Sequence, residues 1–140
     1  MADDDVRAHK SAEELESLFA ATMGKSARSD NDAEMVIRAC LLINRFLAAG
    51  SAPPPVGALA KMLFTSRSRL YAAFQREIGL GVGLYARKRR MEFACRLLLD
   101  NHLSIADVAR QTGYPSLSSF DHSFKAVVGL SPRTWRDSHS

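Results

Sequence analysis

Four consecutive cations, Arg87, Lys88, Arg89 and Arg90, are the densest group of chemically competent side chains in this 140-residue sequence. Such a run suits phosphate oxygens, which take charge-assisted hydrogen bonds from guanidinium and ammonium groups. Successive residues on a helix point about 100° apart, so at least one of the four must turn toward protein. Other chemistries lack their parts. The four histidines are scattered and form no metal constellation, and no glycine-rich phosphate loop or paired nucleophile and base stands out. No catalytic residue, no enzyme activity, no metal and no cofactor are therefore expected. Cys40 and Cys95 lie in apolar helical patterns without zinc-cluster spacing and read as buried packing thiols.

Charge is unevenly placed along the chain. Residues 1–34 hold nine acids against four bases, whereas residues 35–140 hold fifteen bases against six acids. An acidic leader thus precedes a basic body, and the body suits a polyanionic partner. Hydrophobic residues make up 46% of the sequence and charged ones 24%, enough for a packed core. No apolar stretch approaches the ~20 residues of a membrane span, and the acidic start lacks a signal-peptide pattern, so a cytoplasmic protein without membrane contact is expected, nucleoid-associated if the polyanion that its basic body meets is DNA.

The periodic signals are all helical, which predicts an all-α chain. Ser11 and Glu14 form a capping-box pattern before Leu15, Leu18 and Phe19, and Gly24 closes that first helix within a leader spanning 1–31. Lys25 to Asn31 reads as a linker. Asp32 then caps a helix carrying Met35, Val36, Ala39, Leu42, Ile43, Phe46 and Leu47, which Gly50 ends. Pro53, Pro54 and Pro55 force an extended connection.

Beyond the prolines the chain repeats itself. Ser66, Leu70, Phe74, Gly79 and Tyr85 recur fifty residues on as Ser116, Phe120, Phe124, Gly129 and Trp135, and Leu59 and Ala60 recur as Val108 and Ala109. Each copy has helix-turn-helix grammar: a short helix, a turn, then a serine-capped helix with its apolar residues inward and a terminating glycine. The copies occupy about 56–79 and 104–129. Between them 84–99 predicts a helix of ~24 Å with Leu84, Met91, Ala94 and Leu98 inward. Ser131 and Pro132 open a terminal helix at about 131–137.

With these residues in place, the sequence resembles the AraC/XylS family of transcription regulators. The resemblance covers about 56–136, and it implies that the helix from Asp32 to Ala49 serves as the family's first. It is carried by Ile105, Ala106, Asp107, Val108, Ala109, Gly113, Tyr114, Ser119, Phe120, Phe124, Lys125, Gly129, Ser131 and Pro132, and earlier by Ser66, Leu70, Phe74, Gly79, Tyr85 and Arg90. It implies a homeodomain-like DNA-binding domain over 32–140 that reads promoter DNA as a monomer or weak dimer. The two capped helices would enter successive major-groove segments ~34 Å apart, held by the intervening helix. It also implies transcription regulation, with RNA polymerase as a partner and activation the expected sign.

Matched to the family's base-reading positions are Ser68, Tyr71 and Ala72 in the first copy, and Ser118, Ser119, Asp121 and His122 in the second. Arg69 and the outward Leu117 join them as base candidates. Ser66, Arg67, Arg76, Arg87, Lys88, Arg89, Ser116 and Lys125 are the phosphate candidates. Ala72 and Asp121 depart from the long polar side chains often found at their positions, which keeps a second expectation open: a protein-interaction module, or the remnant of a longer effector-binding regulator. The leader is too short to hold a sensor domain, and a stand-alone short form is expected.

Overall fold

A computed structural model describes residues 27–140 of the chain. The helix expected between Ser11 and Gly24 lies outside the described residues. Among the described residues seven helices follow one another without a strand: α1 (Ala27–Ala48), α2 (Val56–Met62), α3 (Arg67–Glu77), α4 (Val82–Leu98), α5 (Ile105–Gln111), α6 (Leu117–Val128) and α7 (Pro132–Ser138). The fold is all-α, as the periodicity requires. Two compact units divide the chain: residues 27–42 join 56–82 in the first, and residues 43–55 join 83–140 in the second.

In the first unit α2 packs on α3. Leu59 and Ala60 from α2, Leu70, Ala73 and Phe74 from α3, and Met35, Val36 and Ala39 from α1 are buried. Their spacing of three and four puts each set on one helix face. The turn between α2 and α3 holds Phe64 at φ 56°, a left-handed conformation, with its side chain 96% exposed. Ser66 then starts α3 as its N-cap, its hydroxyl oxygen accepting from the Arg69 amide at 3.1 Å. A cap of this kind contributes about 1 kcal/mol.

In the second unit Met91, Ala94 and Leu98 of α4 form one core cluster with Val108 and Ala109 of α5 and Phe120 and Phe124 of α6. Tyr114, in the turn between α5 and α6, meets Phe120 edge-on with ring centroids 5.4 Å apart. Ser116 caps α6, Gly129 ends it at φ 92°, and Ser131 with Pro132 starts α7. Arg136 on α7 donates to the Leu98 and Asp100 carbonyls, supplying partners to the end of α4 that the helix itself cannot provide.

Ser104 and Asp107 form a capping box at α5. The Asp107 amide donates to the Ser104 hydroxyl at 2.9 Å, and the Ser104 amide donates to the Asp107 carboxylate at 3.0 Å. That backbone bond, with Arg110 donating to the same carboxylate, holds the Asp107 acid down to about 2. Because the folded value lies below the ordinary one, the cap's contribution is complete above the usual carboxylate range and is lost as pH falls through about 2. A carboxyl-carbon NMR titration should find the Asp107 midpoint there; a midpoint near 4 would mean that the box does not form.

Three local expectations are corrected. Helix α1 begins at Ala27, inside the stretch read as a linker, so Asp32 is a helix-interior residue and not a cap. Its carboxylate is buried and finds two guanidinium partners, which outweighs its weak helix preference. Leu84 is 47% exposed, although it shares a stripe with Met91. An apolar face is buried only where another element covers it, and the cluster on α4 starts at Met91. Cys40 and Cys95 are half-buried, not fully inside.

Candidate nucleic-acid interface

Helix α3 turns Leu70, Ala73 and Phe74 inward, which leaves Arg67, Ser68, Tyr71 and Ala72 exposed on the opposite face. The outer part of the Arg67 side chain lies beside Gly57, where an added Cβ would be 3.7 Å from Arg67 Cδ and Nη1 and 3.9 Å from Nε, so its guanidinium end rests on α2. The Ser66 hydroxyl oxygen is engaged by the Arg69 amide.

Arg69 and Arg76, two turns apart on α3, both reach Asp32. Arg69 Nε donates to Asp32 Oδ1 at 2.9 Å and Arg76 Nη2 to Oδ2 at 2.5 Å. The carboxylate is 7% exposed while the two guanidinium side chains are 41% and 48% exposed. Asp32 therefore braces the helix from α1 and offsets two of its charges. Sequence reasoning took Asp32 for a helix cap and missed this role; its one signal is the spacing of Arg69 and Arg76, which puts both on one side of a helix.

Helix α6 repeats the arrangement with different chemistry. Phe120 and Phe124 face the core, and Leu117, Ser118, Asp121, His122 and Lys125 are exposed. Ser119 is half-buried; its amide donates to the Ser116 hydroxyl at 3.1 Å and its own hydroxyl to the Ser116 carbonyl at 3.0 Å. Both serines are thus engaged in starting the helix.

The cation run on α4 splits in two. Arg87 and Lys88 are exposed. Arg89 directs Nε and Nη2 onto Asn44 Oδ1 at 3.2 and 3.1 Å and pairs with Glu92. Arg90 donates to the Thr112 carbonyl at 2.8 Å and stacks over the Tyr114 ring at 3.7 Å from its centroid. Burial lowers the Arg90 guanidinium from its ordinary value, with Tyr114 acting in the opposite sense; it stays charged at neutral pH. Arg90 ties α4 to the turn of the second helix-turn-helix and is a structural cation.

No helix among the described residues is long and apolar enough to cross a membrane. A family described as Helix-turn-helix domain matches residues 59–138. The chain is 36% identical over 81 residues to a Streptomyces lividans protein named as an AraC-like transcription regulator, a match covering 58% of this chain and 27% of that protein. Among solved structures, the C-terminal domain of AraT, a response regulator from Geobacillus stearothermophilus, superimposes with a TM-score of 0.65 at 28% identity, covering 74% of this chain and 84% of that one. A DNA-binding transcriptional dual regulator from Escherichia coli K-12 gives a TM-score of 0.61 at 27% identity, covering 74% and 89%. The chain spans a third or less of the length of the curated relatives it matches. Two capped helices on a repeated scaffold, a match over residues 59–138 and relatives of AraC type make this chain a member of the AraC-type helix-turn-helix domain family.

Proposed function

We propose that the chain binds double-stranded promoter DNA sequence-specifically in the cytoplasm and regulates transcription initiation, with α3 and α6 each entering a major-groove segment. The observation that carries this reading is the repetition: two helices, capped by Ser66 and Ser116 at one repeat spacing, each leave an outward face exposed beside a buried aromatic or aliphatic stripe. Transcription regulators among the relatives support it. Arg67, Arg87, Lys88 and Lys125 contact phosphates, and Ser68, Tyr71, Ala72, Leu117, Ser118, Asp121 and His122 face bases. Asp121 accepts from a cytosine amino group or repels backbone, so α3 supplies the greater share of affinity. Activation through contact with RNA polymerase completes the reading.

Selection of duplexes from a random pool, followed by fluorescence titration, tests it. The selected site should bind at least ~10³-fold more tightly than random duplex, with affinity falling steeply as salt rises. Joint replacement R87A/K88A should weaken binding to all duplexes alike and flatten the salt dependence by about 0.9 for each phosphate no longer neutralised. Equal affinity for every duplex would overturn the proposal.

A further inference from the structure

Tyr71 is 52% exposed on the outward face of α3, yet two neighbours fix where its ring lies. Gln75, one turn on, donates its amide to the tyrosine hydroxyl at 2.8 Å. On the other side the ring rests on the backbone of Gly81. A Cβ built at Gly81 would sit 2.5 Å from Tyr71 Cε1, closer than real Cβ atoms approach, and 3.0 Å from Cδ1, so the ring would have to move.

The backbone conformation at Gly81 does not call for glycine. The residue is not among the glycines with positive φ. It directly precedes Val82, the first residue of α4, where a serine or threonine would cap the helix. The starts of α3, α5, α6 and α7 all carry such a serine. The internal repeat sharpens the point: fifty residues on, the partner of Tyr71 is Asp121 and the partner of Gly81 is the capping Ser131. The copy with an aromatic ring has the bare backbone, and the copy without the ring has the side-chain cap.

We propose that Gly81 is a positioning residue for sequence readout: its missing side chain seats the Tyr71 ring, and Gln75 orients the hydroxyl. With its oxygen occupied by the Gln75 amide, the phenol directs its own proton outward. It then reads a base edge that offers an acceptor, as guanine, adenine and thymine do in the major groove, and disfavours cytosine, whose edge offers a donor. The inference rests on the DNA-binding reading above.

The experiment uses the full chain and its selected duplex, together with duplexes substituted at the base pair most sensitive to Tyr71→Ala. Gly81→Ala and Gly81→Ser should each reduce discrimination at that pair about five- to tenfold, leaving affinity for random duplex unchanged. Gly81→Ser should keep or raise the thermal midpoint, because it gains a cap while displacing the ring. In a Tyr71→Ala background, neither Gly81 change should alter discrimination further. Intact discrimination in both Gly81 variants, with Tyr71→Ala losing it, overturns the role of Gly81 alone. Tyr71→Ala without effect at any base pair overturns base reading by Tyr71, and with it the proposal, while selection of a specific site would leave the function itself standing.

Discussion

Gly113→Ala is expected to destabilise the chain by more than about 3 kcal/mol, a large share of the 5–15 kcal/mol typical of a folded protein. Two effects add. Gly113 sits at φ 81°, where an L side chain costs about 1–2 kcal/mol. A Cβ there would also press into the Ala52 amide nitrogen and lie 2.9 Å from Ala52 Cα and the Ser51 carbonyl carbon. All three are main-chain atoms of the segment after α1, so relief means moving backbone and not a rotamer. Gly129→Ala is the control: at φ 92° with nothing within 4 Å, it carries strain alone and should cost about 1 kcal/mol. Urea unfolding of both variants checks the difference. Equal losses would show that the second helix-turn-helix turn does not pack on residues 51 and 52.

The second large effect is expected at Asp32. Asp32→Ala removes the shared partner of Arg69 and Arg76. Breaking a buried ion pair can cost 3–5 kcal/mol, but both guanidiniums are half in water and can rehydrate, so about 1–3 kcal/mol is the expected loss of stability. The functional effect has the opposite sign for non-specific binding. Two cations on α3 become available to phosphates, so random duplex should bind more tightly at low salt, with a steeper salt dependence by up to about 0.9 per additional phosphate neutralised. Because the brace on α3 is gone, the selected site should not gain in proportion, and the ratio of specific to random affinity should narrow. Unchanged stability and an unchanged ratio together would mean that Asp32 neither braces the helix nor competes with DNA for its arginines.

The features readable from the sequence were those whose cause is local. Ser66, Ser104, Ser116 and Ser131 each act on an amide three residues ahead, so a linear pattern reveals them. The stripes Leu70 with Phe74 and Phe120 with Phe124 are likewise one turn apart and both are buried. The cations were harder. The spacing of 87–90 requires some of the run to face protein, but only the positions of Asn44, Thr112 and Tyr114 decide that Arg89 and Arg90 do so. Asp32 meets Arg69 and Arg76 from 37 and 44 residues away, a pairing no periodicity encodes. Leu84 has the right phase and lacks a covering neighbour, a fact of tertiary packing that phase alone does not hold. Phe64 stands where the second copy has Gly113, and residue type gave no sign of its left-handed backbone.

The division of the chain into units has a practical consequence for anyone dissecting or transplanting this protein. Each unit is assembled from two separated stretches, so the thread passes from the first to the second within α1, returns after the prolines, and leaves again at residue 82. A shortened version starting at residue 59, where recognisable family similarity begins, would strip the first unit of Met35, Val36, Ala39 and Asp32 while leaving its repeat motif intact on paper. Chimeras that exchange one reading head for another must therefore carry the opening half of α1 with α2 and α3, in the manner of a lock moved together with the strip of door that holds it.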